Sequence, residues 1–179
     1  MASPSNIWIK AGQFFAGGGT APLPDQIIQI SGDKIAAIMP ASKGATDLNP
    51  TCFDVVAPGF IDLQINGAGG VLFNDQPDVD AIDTIAAAAR KGGTCHLLPS
   101  FITDEGRAYV QALQAVNKAQ GRPEVLGLHL EGPFLSPVKP GIHPPAFIRK
   151  MDAQDLDFLT SFEGRLLVTC APEEMPLDD

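Results

Sequence analysis

Nowhere in this chain do apolar residues run long enough to span a bilayer, and the N-terminus has neither a charged segment nor the apolar stretch of a secretory leader. These absences give the expectation of a cytoplasmic protein with no membrane partner. Basic residues are a minority, 12 Lys and Arg against 21 Asp and Glu, and they form no cluster. The formal charge of -9 opposes a phosphate backbone, so nucleic acid is excluded as a partner. Only three cysteines occur, Cys52, Cys95 and Cys170, with no Cys-x-x-Cys pair. Neither a disulfide framework nor a zinc knuckle is suggested, and buried free thiols are the expectation. Histidines are equally scarce, at His96, His129 and His143. What remains is 179 residues, 45% hydrophobic and 18% charged, the composition of a globular chain with a real core.

Two regimes of sequence meet near Ala57-Pro58. Before that point, runs such as Ile27-Ile28-Gln29-Ile30 and Ile35-Ala36-Ala37-Ile38 flank Ser31-Gly32-Asp33-Lys34, which predicts a β-hairpin. Beyond it the pattern becomes strand, loop, helix, repeated. Apolar strands are predicted at 59–64, 96–101, 125–130 and 166–171. Helices are predicted between them, at 78–91 with a glycine stop at Gly92-Gly93, at 104–119 with Thr103 as N-cap, and at 153–162. Such alternation builds a parallel sheet with right-handed crossovers. The strand spacing suits a (β/α)8 barrel, but a whole barrel takes about 250 residues. The fold expected is therefore α/β, the first half of a TIM-like barrel in residues 58–179, about four βα units, preceded by a small β-sandwich segment in residues 1–57. A four-stranded open sheet is the alternative.

The chemistry-bearing residues gather at the predicted strand ends. His129-Leu130-Glu131-Gly132-Pro133 closes the third strand, and residues two apart on a strand share a face, so His129 and Glu131 look the same way. Three readings apply to this pair: a satisfied core histidine beside an acid, a metal site, or general acid-base work. No Arg or Lys lies within the motif to neutralise the carboxylate, which favours a cation as partner. On the first strand, alternation puts Asp62, Gln64 and Asn66 on one face. Asp62 reads as part of a hydrogen-bonded plug, while Gln64 and Asn66 lie near enough to the strand's end to line a pocket. His143 sits in a Pro- and Gly-rich loop that follows directly from Glu131 and reads as a substrate contact.

Together, Pro58-Gly59-Phe60-Ile61-Asp62-Leu63-Gln64-Ile65-Asn66-Gly67, His129-Leu130-Glu131-Gly132-Pro133-Phe134 and Lys139-Pro140-Gly141-Ile142-His143 resemble the N-acetylglucosamine-6-phosphate deacetylases of the amidohydrolase superfamily, over what would be the N-terminal half of such an enzyme. Val168-Thr169-Cys170-Ala171-Pro172-Glu173 is similar to that family's fourth strand.

The resemblance implies a metal-dependent hydrolase of amino sugar catabolism that converts N-acetyl-D-glucosamine 6-phosphate to glucosamine 6-phosphate and acetate. It implies one divalent metal ion, zinc first, with iron or manganese as alternatives. Glu131 is then a metal ligand, Ile142 and His143 contact the sugar, and His129 is a pocket neighbour. Gln64-x-Asn66 stands where many amidohydrolases have His-x-His, a vestigial second-metal position, since neutral amides are weaker ligands for zinc-like ions. The family's catalytic aspartate and remaining metal histidines would lie beyond Asp179, so no catalytic residue is assigned and the isolated chain is expected to be inactive or poorly folded. The resemblance also implies a homodimer. Two other classes stay open: a non-catalytic remnant that binds a sugar phosphate or a subunit, and another amidohydrolase such as a cyclic amidase or base deaminase.

Overall fold

The computed structural model describes residues 6–44 and 47–175. Most of the N-terminal stretch read above for a leader lies outside them. The chain divides into two compact units, Met1–Pro58 and Gly59–Asp179.

The first unit is a four-stranded sheet in the order β3-β2-β1-β4. Strands β1 (Asn6–Phe14), β2 (Leu23–Ser31) and β3 (Lys34–Pro40) run antiparallel in turn, with Ile9 opposite Ile28, while β4 (Thr51–Val56) pairs parallel to β1. The predicted hairpin is β2-β3, and Gly32 takes a φ of +63° in its turn, a value that favours glycine. Ala11, Phe14 and Ile28 form a small buried core with Ile9, Ile30 and Val56 against it. Ile7, Ile35, Ile38, Phe53 and Val55 remain exposed, so the sheet is only partly covered within this unit.

The second unit opens with β5 (Phe60–Ile65), and the short strands β6 (Gly67–Ala68) and β7 (Val71–Leu72) pair antiparallel after it. There follow α1 (Val79–Lys91), β8 (Thr94–Ile102), α2 (Tyr109–Ala119), β9 (Gly127–Glu131), α3 (Ala153–Thr160) and β10 (Arg165–Thr169). The four long strands make a sheet in the order β10-β9-β8-β5, and every neighbouring pair is parallel. Helix α1 begins where Asp78 accepts a hydrogen bond from the Ala81 N–H at 2.8 Å, and it buries Ile82 and Ile85. With Leu113 and Val116 of α2, these pack on Leu97, Phe101, Leu128 and Leu130 of the sheet. Each such side chain contributes roughly 1.5–3 kcal/mol on burial. At the edge the gain is missing: Phe60, Ile61 and Leu63 of β5 are 68%, 58% and 53% exposed.

Two expectations change. Thr103 caps no helix, because α2 starts at Tyr109 with Ala108 in the capping position and no side-chain cap bond. Gly106, at φ +57°, keeps the preceding residues out of the helix, and the Thr103 hydroxyl is engaged elsewhere. The cysteines are free but not buried: Cys52 and Cys95 are exposed and Cys170 is half-buried. Cys52 lies on β4, an edge strand of its sheet, and Cys95 beside the bare edge strand β5, where little covers them.

Candidate functional site

Leu128 and Leu130 take the helix side of β9, which leaves His129 and Glu131 on the opposite face. His129 is only 2% exposed. Its Nδ1 lies 2.8 Å from Ser100 Oγ on β8 and its Nε2 lies 2.9 Å from Thr169 Oγ1 on β10, so one imidazole ties three adjacent strands. Burial pushes its pKa below the ordinary histidine value, and the Glu131 charge opposes that shift only in part. Both ring nitrogens are spent on hydroxyls, which suits a pocket floor better than a ligand.

Glu131 ends β9 with its side chain 21% exposed. Its Oε2 accepts a hydrogen bond from Gln64 Nε2 at 2.9 Å, and its Oε1 lies 3.8 Å from His143 Nε2. Among the described residues no Lys or Arg forms an ion pair with it. Gln64 reaches Glu131 across β8, and the register shift of β5 between Asp62 and Ile65 accompanies this reach. Within the shifted stretch, Asp62 Oδ1 accepts from the Gln64 N–H at 3.0 Å. Asn66 falls just past β5, half-buried, and its carbonyl accepts from the Phe73 N–H at 2.8 Å.

Beyond Glu131 the chain turns sharply through a cis Gly132-Pro133 bond. Gly132 holds φ at +82°, and a Cβ there would stand 2.1 Å from Thr103 Oγ1, so only glycine fits. The loop that follows brings His143 back over the strand ends. His143 is 8% exposed, with Nδ1 2.9 Å from Thr103 Oγ1, whereas the neighbouring Ile142 is 87% exposed. The far end of the loop is anchored by Arg149. Its N–H donates to Pro133 O at 3.1 Å and its guanidinium lies 5.3 Å from the Phe134 ring centre.

Arg149 also holds Asp155, a fully buried carboxylate in the first turn of α3. Tyr109 Oη donates to Asp155 Oδ1 at 2.7 Å, Arg107 Nε to the same oxygen at 2.9 Å, and the Asp152 N–H to Oδ2 at 2.9 Å. Burial alone would raise the Asp155 pKa, but the Arg149, Asp152 and Tyr109 hydrogen bonds outweigh it and hold the carboxyl below its usual range. Burial, with the Asp155 carboxylate beside it, pushes the Tyr109 phenol up.

The structure thus gathers Gln64, Glu131 and His143 at one end of the sheet, with His129 beneath them, and leaves Ile142 pointing into solvent. Sequence reasoning missed Ser100, Thr169, Thr103 and the Arg149-Asp155 anchor. The one signal for the anchor was Asp152-x-x-Asp155, a pair at capping-box spacing. Among the described residues, no group of three or more His, Cys, Asp or Glu is arranged to hold a metal ion. Glu131 offers one suitable oxygen donor, and the donor set is not complete within these residues.

No protein-family model matches the chain. It is 36% identical over 141 residues to N-acetylglucosamine-6-phosphate deacetylase of Haemophilus influenzae, covering 76% of this chain and 37% of that protein. It is 40% identical over 120 residues to N-acetylgalactosamine-6-phosphate deacetylase of Shewanella sp. strain ANA-3, covering 65% of this chain and 30% of the relative. The crystal structure of N-acetylglucosamine-6-phosphate deacetylase from Pasteurella multocida superposes with a TM-score of 0.79 at 28% identity, over 95% of this chain and 46% of that one. The chain therefore spans about a third of the length of the curated relatives it matches and just under half of the solved structure.

In sequence and fold the chain resembles part of enzymes that are named sugar-phosphate deacetylases. The relatives it resembles, over part of their length, include N-acetylglucosamine-6-phosphate deacetylase and N-acetylgalactosamine-6-phosphate deacetylase.

Proposed function

We propose that this chain is the N-terminal part of a cytoplasmic, metal-dependent deacetylase that hydrolyses the acetamide of an N-acetylhexosamine 6-phosphate, with N-acetyl-D-glucosamine 6-phosphate as first candidate. The carrying observation is Glu131: a carboxylate at the C-terminal end of a parallel strand, with an amide and an imidazole for neighbours and, among the described residues, no Lys or Arg paired with it. The second unit is then the first half of a TIM-like barrel, and the first unit a part of a composite β-sandwich. The exposed faces of β5 and of the N-terminal sheet support both readings. Identity to gluco- and galacto-type relatives is similar, so the 4-hydroxyl configuration of the sugar is left to the assay.

A bound zinc, or iron or manganese in its place, would polarise the acetamide carbonyl and activate water. Within this chain Glu131 would be one ligand and Gln64 would hold its second oxygen in place. His143 and the exposed Ile142 would face the sugar, and His129 would brace the floor. The remaining ligands and the acid-base carboxylate would come from sequence corresponding to the rest of the relatives.

The test joins this chain to the C-terminal part of the Haemophilus influenzae relative and measures acetate release from both phosphosugars, with metal content by mass spectrometry. Glu131→Gln should lower metal content and activity together. Unchanged metal and turnover in that variant would refute the ligand role. Acetate release by the 179-residue chain on its own would defeat the division of labour. Because the described residues hold no metal-donor cluster, a binding remnant is the second reading. Saturable phosphosugar binding that survives a chelator, without turnover in the joined protein, would favour it.

A further inference from the structure

Thr103 lies 4% exposed between two partners that make unequal demands on its single hydroxyl proton. Glu131 O, 3.3 Å away, is a carbonyl and can only accept. His143 Nδ1, 2.9 Å away, can either donate or accept. Both contacts are filled by one arrangement: the threonine donates to the carbonyl, and Nδ1–H donates to Oγ1. The reverse leaves the Glu131 carbonyl contact without a proton in a place with little access for water. His143 Nε2 itself lies 3.8 Å from Glu131 Oε1.

We propose that Thr103 is a positioning residue that locks His143 as the Nδ1–H tautomer, so that Nε2 and Glu131 Oε1 present two converging acceptors at the strand ends. Glu131 Oε2 is already satisfied by Gln64, so the open pair is Oε1 with Nε2. In the deacetylase reading Oε1 is the oxygen given to the metal, so Nε2 is the acceptor left for the ligand beside it. The chemical class that fits Nε2 is a hydrogen-bond donor of the ligand, a sugar hydroxyl or the acetamide N–H, and this last step rests on that reading. Gly132 supports the arrangement, since a side chain there would occupy the position of the Thr103 hydroxyl.

The tautomer can be read without substrate, metal or turnover. In the uniformly 15N-labelled joined protein, free of metal and substrate and at mildly alkaline pH, long-range proton-nitrogen correlation should show His143 with a protonated Nδ1 and a bare Nε2, the signal being assigned by its loss in His143→Gln. Thr103→Val should shift the ring toward the Nε2–H form and Thr103→Ser should restore the original pattern. A protonated Nε2 in the parent protein overturns the proposal, and so does a folded Thr103→Val variant with the parent pattern. Should Thr103→Val fail to fold, the parent spectrum alone decides. In the joined enzyme, Thr103→Val should raise KM about 2- to 10-fold with a smaller change in kcat, as expected for one lost ligand hydrogen bond. The expected tautomer without any turnover would remove the deacetylase reading and leave the positioning role standing.

Discussion

Arg149 grips the buried carboxylate of Asp155 with both terminal nitrogens, Nη2 donating to Oδ1 at 2.6 Å and Nη1 to Oδ2. This pair fixes the end of the loop that carries His143, and it couples that loop to α2 through Tyr109 and to α3 through Asp152. Removing the charge leaves two arginines facing a neutral group. Asp155→Asn should cost about 3–5 kcal/mol in urea unfolding. The pH dependence has a definite sign. Because the folded pKa lies below the ordinary 3.8, the contribution is complete above about pH 4 and is lost as pH falls from there toward the lower folded value. Urea midpoints at about pH 7, about pH 4 and about pH 2.5 should show a larger loss in the parent chain than in the variant, where Asp78 and Asp152 still titrate below their ordinary value.

Gly132 and Gly141 both hold positive φ, at +82° and +61°, but only Gly132 is sterically enclosed. Gly132→Ala drives a methyl group into Thr103 Oγ1, whereas Gly141→Ala meets nothing within 4 Å. The second substitution should cost about 1–2 kcal/mol from backbone conformation alone. The first should cost clearly more and should abolish the His143-Thr103 hydrogen bond. Equal unfolding free energies for the two variants would contradict this packing.

His129→Leu keeps the bulk of the floor but strands the hydroxyl of Ser100, which is fully buried. The cost should be about 1–3 kcal/mol. Adding Ser100→Ala should recover part of it, because the unpaired group is then gone. A double-mutant cycle by chemical denaturation reads the coupling directly, and strict additivity would mean that the histidine does not hold Ser100.

Ile61 and Leu63 share one face of the edge strand β5, and both are more than half exposed. Replacing both with lysine should leave stability within about 0.5 kcal/mol, as for other surface changes. It should lower binding of a hydrophobic dye and slow self-association of the isolated chain, measured by light scattering. In the joined enzyme the same two lysines should destabilise the fold, because the strand face would there be covered.

The repeating strands and helices were legible in sequence because burial imposes a period. Ile82 and Ile85 on α1, and Leu128 and Leu130 on β9, fall where an amphipathic pattern must put them. The same logic placed His129 and Glu131 on one face. The start of α2 was misjudged because a glycine at positive φ, Gly106, outweighs local helix propensity. The cysteines were misjudged because hydrophobic character predicts burial only where another layer of structure is present to provide it.

The sequence by itself determined the strand-helix order, the face that His129 and Glu131 share, and the resemblance to the deacetylases, since all three rest on residue types and spacings along the chain. Tertiary structure alone decided which groups meet. Gln64 lies 67 positions from Glu131, and Thr103 lies 40 from His143, yet each pair is in hydrogen-bond contact. Contacts of that kind depend on parallel crossovers that return each strand end to the same side of the sheet, and periodicity along one segment carries no information about its neighbour.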